Sequence, residues 1–158
     1  MNLMSRFARR RTSAQGTVEF AMVVSVFFLL LLGVMEFGWA LYTQSTLGFA
    51  ANEGARRGMV LTRTGTFPDN GNHSGSYSLV TACNPDTIVG TVRCRLGAVS
   101  PDRTTAVLVT PAPDPAGGLP VGARVDVRLD HTYRPLIIGF FPFMNAIAMT
   151  GHAETRAQ

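Results

Sequence analysis

The fold of this chain is decided by the stretch FAMVVSVFFLLLLGVMEFGWALY, which runs from Phe20 to Tyr42. It carries a single charge, Glu36, near its far end. A helix needs about 20 predominantly apolar residues to cross a bilayer. Lipid offers the backbone no hydrogen-bond partners, so a spanning segment has to be helical. The stretch therefore predicts a transmembrane helix and makes the lipid bilayer the first expected partner.

The residues before this helix predict its orientation. Four arginines and no acid occur in residues 1–16, which we interpret as a cytoplasmic leader. Cytoplasmic flanks favour arginine and lysine, so we expect a single-pass protein of the cytoplasmic (inner) membrane with its N-terminus inside. Residues from about Thr43 onward would then lie outside. A nucleic-acid reader clusters basic residues on its folded part, whereas this chain places them in the leader, so no nucleic-acid partner is expected.

A cleaved secretory signal peptide is the alternative interpretation of the apolar stretch. Such a peptide has an apolar region of about 7–15 residues followed by a small-x-small cleavage site. The strictly apolar part, Ala21–Met35, is at that upper limit, but EFGWALYTQ follows it and contains no convincing site. The sequence therefore favours an uncleaved anchor.

Helical character is expected to continue beyond the membrane. The segment TQSTLGFAANEGARRG, from Thr43, contains no proline. Glu53 precedes Arg57 by four residues, which is the favourable orientation for an ion pair on one helix. We therefore predict one continuous helix from about Thr17 to Gly58.

Small residues recur at every fourth position near the end of this helix, at Ala50, Gly54 and Gly58. This spacing lets another helix approach closely, so we interpret these residues as a helix-packing surface. An ordinary helix C-cap is the alternative for Gly58.

Three features now coincide: a basic leader, GTVEFAMVV at the start of the apolar helix, and AANEGARRG at its end. Together they resemble the TadE-like family, the pilin-like minor proteins of the tight-adherence (Tad, Flp-type) pilus machinery. The segments that carry the resemblance are Val18-Glu19-Phe20, Glu36-Phe37-Gly38 and Ala50–Arg56. It covers roughly residues 10–60, and the ending of the chain in ETRAQ resembles the family more loosely.

The resemblance implies a role for Glu19, which Phe20 follows. In pilin-like subunits a carboxylate five residues after a processing site is thought to pair with the freed N-terminal amine of a neighbouring subunit. Intramembrane acids usually have such a partner and a function. Counting back from Glu19 places the cut by a prepilin peptidase between Ala14 and Gln15. Family sites usually have glycine before the cut, and a cut after Gly16 would make Glu19 the third residue. A carboxylate at the helix N-terminus, favoured by the macrodipole, is the alternative.

The second half of the chain alternates loops and strands. TTAVLVT (104–110) and ARVDVRLDHTY (123–133) have the period-two pattern of strands, and a third strand is predicted within NAIAMTGHAETR (145–156). The segment after Gly58, rich in glycine, serine and threonine, is predicted to be a loop. The most apolar stretch outside the anchor, Pro135–Ile147, is expected to be buried under the sheet. A docking patch for another subunit or for the outer leaflet is the alternative.

These elements predict an α+β fold with a pilin-like outline. A long N-terminal helix, transmembrane in its first half, would pack on a small, mainly antiparallel C-terminal sheet. The predicted organisation is a leader at 1–16, the helix at 17–58 and an exported domain at 59–158.

Chemistry-bearing residues are sparse in the exported half. Cys83 and Cys94 are the only cysteines, and outside the cytoplasm two cysteines this close favour a disulfide. His73, His131 and His152 are scattered and fit no metal motif; His131, on an apolar strand face, is expected to be packed. The sequence contains no P-loop, G-x-S-x-G elbow or paired acids, so we expect no catalytic residue, cofactor or metal.

The function that the resemblance implies is that of a minor pilin-like (pseudopilin) subunit, which takes part in assembling a Tad-type pilus. Its expected partners are other pilin-like subunits, the pilus assembly platform and a prepilin peptidase. The alternative is a membrane-anchored exported binding module for which the helix is only a tether.

Overall fold

The computed structural model describes residues 4–64, 74–79, 83–109, 122–135 and 146–156, with side chains of the first segment from Gln15 to Val60. The chain divides into two compact units, Met1–Trp39 and Ala40–Gln158. The described elements are α1 (Met4–Thr64), β1 (Gly75–Ser78), α2 (Ile88–Arg95), a 3₁₀ turn (Pro101–Arg103), β2 (Thr104–Val109), β3 (Arg124–Tyr133) and β4 (Ile147–Arg156).

Helix α1 is longer at both ends than the predicted span from Thr17 to Gly58. It begins at Met4 and ends at Thr64, so the C-cap interpretation of Gly58 is wrong. Gly58 instead lies against the sheet, where a Cβ would be 3.0 Å from a Val125 methyl group. The helix passes through it because the following residues, Met59 to Leu61, include good helix formers.

The described strands form one antiparallel sheet in the order β1-β2-β3-β4. The three predicted strands are confirmed as β2, β3 and β4. In β3 the predicted inner face is confirmed, because alternate residues from Val125 to Tyr133 are buried. Strand β1 was not expected, since its sequence, GSYS, has little strand propensity. It forms by pairing with β2, with Gly75 opposite Leu108 and Ser78 opposite Thr105.

The core of the second unit lies between α1, α2 and the inner face of the sheet. One stripe of α1 is buried, and its members follow the three- and four-residue spacing of a helix face. They are Thr43, Leu47, Ala50, Ala51, Gly54, Ala55 and Gly58. Leu47 is fully buried, which is worth about 1.5–3 kcal/mol for a side chain of this size. The second half of α1 is therefore a structural element of the domain as well as the continuation of the apolar helix.

Helix α2 was also missed by sequence analysis. Its sequence, IVGTVRCR, is rich in β-branched residues, which lower helix propensity. Tertiary context compensates: Thr87 caps the helix, its Oγ1 accepting from the Gly90 backbone N–H at 2.9 Å, and Ile88 and Val92 are buried. The predicted Cys83–Cys94 disulfide is confirmed, with the two Cα atoms 4.9 Å apart. It ties the segment before α2 to the second turn of that helix.

Candidate functional site: helix α1 and its charged residues

The first part of α1 presents apolar side chains on all sides. Between Gln15 and Trp39, large hydrophobic residues are exposed along the helix, including Phe20 (69%), Leu30 (62%) and Val34 (75%). The candidate membrane span is Gln15–Val60, and none of its most apolar window is buried within the protein. A helix that is hydrophobic all round needs an apolar environment, and this one is long and apolar enough to cross a bilayer.

Glu19 lies at the start of this apolar surface and is exposed. The side-chain amide of Gln15 donates a hydrogen bond to Glu19 Oε1 at 3.2 Å, one helical turn away. The macrodipole interpretation of Glu19 is wrong for the chain as it stands. Because α1 begins at Met4, Glu19 lies about four turns inside the helix, and the favourable dipole effect is confined to the first turn.

The other residues singled out for processing lie on the same stretch of helix. Gly16 has open space around its Cα, since a Cβ there would meet nothing within 4 Å. The backbone of Ala14 is helical, and its side chain falls outside the described residues. The structure therefore places Ala14, Gln15 and Gly16 on one regular helix with Glu19, and whether the chain is cut there stays a prediction.

The segment AANEGARRG joins α1 to the rest of the domain. Gly54 makes the closest approach, because a Cβ there would lie 2.5 Å from Val92 Cγ2 of α2. Gly54 and Gly58 are thus buried against α2 and β3 of the same chain, and Ala50 is buried in the same core cluster. The predicted close helix approach is made by α2, and these three residues do not form an open surface for a neighbouring subunit.

The charged residues of this segment follow the same pattern. Glu53 Oε1 lies 3.5 Å from Arg95 of α2, and Arg57 lies 3.7 Å from Asp86. The predicted pair between Glu53 and Arg57 is therefore replaced by two pairs that reach across to α2 and the turn before it. Both are at least partly exposed, so each contributes about 0–1 kcal/mol. The two ion pairs therefore contribute more to the orientation of α2 on α1 than to the free energy of the contact.

His131 is packed, as predicted. It is 6% exposed, and its Nδ1 is 2.7 Å from the hydroxyl oxygen of Thr104 on the neighbouring strand. The same hydroxyl donates to the Ser100 carbonyl at 2.9 Å, so Thr104 links the imidazole to the backbone just before β2. Burial, with the nearby Arg103 charge, lowers the pKa of His131 below its usual 6.5. The ring is therefore a neutral structural group at pH 7.

His152 lies on the opposite, outer face of the sheet. Its Nε2 is 2.8 Å from Asp126 Oδ1, and the His152 side chain is 55% exposed. Arg124 and Glu154 form a second pair of β3 and β4 on the same face, at 2.8 Å. These side chains lie on the sheet face opposite the core. Among the described residues no group of three or more histidines, cysteines and acids could hold a metal ion. His73 lies outside the described residues.

Pro135–Ile147 also lies mostly outside the described residues. Its two ends are described: Pro135 is buried, whereas Ile147 is 45% exposed.

Comparison with known proteins adds one finding. Residues 14–56 match the family model of the TadE-like protein, which confirms the resemblance drawn from the sequence. The match begins just before Glu19 and ends within the segment that packs on α2, so it covers the apolar helix and its junction with the domain. No curated protein and no solved structure matches the chain.

Proposed function

From the TadE-like identity of residues 14–56, we propose that this protein is a minor pilin-like subunit that takes part in assembling a Tad-type pilus at the cytoplasmic membrane. In this proposal α1 anchors the chain in the bilayer, with the N-terminus in the cytoplasm and most of the unit Ala40–Gln158 outside. Two features support this orientation. The arginines of the leader favour the cytoplasmic side, and the Cys83–Cys94 disulfide suits an oxidising exterior.

The observation that carries the proposal is the position of Glu19 on an exposed apolar helix. The Gln15 amide gives its carboxylate a hydrogen bond but, being neutral, does not compensate the charge. A carboxylate within the apolar part of a bilayer is costly and calls for a cation. The freed amine of a neighbouring pilin-like subunit would supply that cation, so Glu19 would hold adjacent helices in register during assembly.

Processing would also change the electrostatic setting of Glu19. A cut by a prepilin peptidase between Ala14 and Gln15 would move the start of the helix from Met4 to about Gln15. Glu19 would then lie about one turn from a helix N-terminus and a positive amine, and both favour a carboxylate. A cut after Gly16 would bring the amine closer still. Cleavage and the assembly role of Glu19 are therefore coupled in this proposal.

The test is complementation of a deletion strain with the full-length chain and with Glu19→Gln. The substitution removes the charge and keeps the size of the side chain, so the protein should accumulate in the membrane at the wild-type level. Pili counted by electron microscopy should be lost or strongly reduced. Ser25→Ala is the matched control, because Ser25 is also exposed on this helix and bonds only locally, to the Ala21 carbonyl.

Normal piliation with Glu19→Gln would contradict the assembly role. If deletion of the chain also left piliation intact, the protein would be better described as a membrane-anchored exported binding module. Gly54 cannot serve in this comparison, since its substitution would disturb the packing of the domain itself.

N-terminal sequencing and intact mass of the protein from native membranes test the processing step. A mature chain that starts at Gln15 or Thr17 would support pairing of Glu19 with a neighbour's amine. An intact Met1 would make the protein an uncleaved assembly factor that stays in the membrane.

A further inference from the structure

One end of the unit Ala40–Gln158 carries exposed apolar side chains near the point where α1 enters it. Leu41 is 52% exposed and Tyr42 43%, and Ile147, the first residue of β4, is 45% exposed. Single exposed apolar residues are ordinary on protein surfaces. These three residues indicate a shared surface because the packing of the unit brings them to a similar position along the axis of α1.

Strand β4 runs in the same direction as the second half of α1. Gly151 of β4 lies against the α1 backbone, where a Cβ on it would be 2.6 Å from the Leu47 carbonyl. Further along α1, Gly58 lies against Val125 of β3, whose register partner in β4 is Thr155. Advancing along the helix therefore corresponds to advancing along the strand.

This alignment fixes the level of Ile147. It precedes Gly151 by four residues, or about 13 Å of strand, and about nine helical residues cover that distance. Counted back from the Leu47 contact, this distance reaches at least to Ala40, so Ile147 lies at the end of the unit where α1 enters it. The Gln44 amide, which donates to the Thr150 carbonyl at 2.9 Å, holds the strand to the helix between these levels.

We propose that this end of the domain rests on the outer leaflet of the bilayer, with Leu41 and Ile147 entering the interfacial region. The argument is continuity: Ala40 directly follows the apolar run of α1, so the proposal rests on α1 spanning the membrane. The other exposed residues at this end fit the same partner. Tyr42 is an aromatic residue of the type enriched at bilayer interfaces, and Arg134, next to β3, is exposed and suited to lipid phosphates.

A lipid surface fits these residues better than a protein partner does. An interfacial site combines apolar bodies with aromatic and cationic tips, and this end of the unit Ala40–Gln158 offers that combination. The contact would give the domain a second attachment to the membrane besides its helix.

The experiment places a polarity-sensitive NBD fluorophore on single introduced cysteines of the full-length protein in phosphatidylcholine–phosphatidylglycerol vesicles. Among the described residues there is no free cysteine, so the label goes to the new site. The test variant is Ile147→Cys. Its matched control is Arg156→Cys, at the opposite end of the same strand and about 30 Å away. Leu30→Cys, in the apolar helix, reports on the anchor itself.

We expect lipids that carry a quencher near the headgroup to quench the label at position 147 several-fold more strongly than the label at 156. Aqueous iodide should show the reverse order. Equal iodide quenching at 147 and 156, with the label at position 30 protected, would overturn the membrane contact of the domain while still supporting α1 as the membrane anchor. A label at position 30 that is open to iodide would overturn the anchor and, with it, this inference.

Discussion

The close approach of Gly54 to Val92 allows a sharp test of how α1 joins the domain. In Gly54→Ala the new Cβ would lie 2.5 Å from Val92 Cγ2, well inside the 3.5–4.0 Å of favourable carbon contacts. Val92 has little freedom to move aside, because a β-branched side chain on a helix has one strongly preferred rotamer. The disulfide at Cys94 also restrains α2. The clash can therefore be relieved only if α1 and α2 move apart.

The magnitude follows from two opposed effects. Overpacking of this kind costs about 1–3 kcal/mol, while replacing a helical glycine by alanine gains about 1 kcal/mol. The net change for Gly54→Ala is then a loss of about 0–2 kcal/mol in the free energy of unfolding. Gly48→Ala is the matched control. It lies on the same helix with nothing within 4 Å of its Cβ position, so it should show only the gain.

The difference between the two variants, about 1–3 kcal/mol, isolates the contact. This difference can be measured by hydrogen exchange of the β3 amide groups in the full-length protein in micelles. Exchange should be about 5–150-fold faster in Gly54→Ala than in Gly48→Ala. Equal protection in the two variants would refute the reasoning, because it would mean that α2 does not pack tightly on Gly54.

Three further outcomes are expected. The pKa of His131 is lower in the folded protein than its usual 6.5, so the unfolded state binds more protons and the free energy of unfolding should fall as pH drops through about 6.5. His131→Asn should flatten this dependence in denaturant titrations, and an unchanged slope would contradict it. Replacing Cys83 and Cys94 by serine opens a loop with a sequence separation of 11 and should lower the free energy of unfolding by about 3 kcal/mol. An unchanged denaturation midpoint would mean that the disulfide does not stabilise the domain. Glu53→Gln should lower the free energy of unfolding by no more than about 1 kcal/mol, because the ion pair of Glu53 with Arg95 is partly exposed. A larger loss in the same titration would contradict this weak contribution of the pair.

The sequence was sufficient for the elements whose pattern is local. The apolar run predicted a long helix, which α1 confirms, and the alternation in β3 correctly separated the buried face at Val125 from the exposed face at Arg124. His131 was assigned to the core because it lay in phase with valines and a leucine. In each case the signal came from the residue itself and its neighbours within one element.

The missed features depend on contacts that no local pattern reveals. Strand β1 has a sequence typical of a loop and is a strand only because β2 offers it hydrogen bonds. Helix α2 is held by a cap, a disulfide and burial against its β-branched preference. For Gly54, the four-residue spacing of small residues predicted a close helix approach. It did not indicate whether the approaching helix belonged to this chain or to another. That distinction required knowing that α2 existed.

The contact between Gly151 and the backbone of Leu47 has a consequence for biogenesis. It joins β4 to a helix that leaves the ribosome about a hundred residues earlier, so the core cannot close until β4 has been made. During that interval the buried stripe of α1 from Leu47 to Ala55 is uncovered, and its apolar side chains are open to chaperones and proteases. A stop codon before β4 would keep α1 but leave the core of the unit Ala40–Gln158 incomplete, so we expect proteolysis to lower the amount of protein.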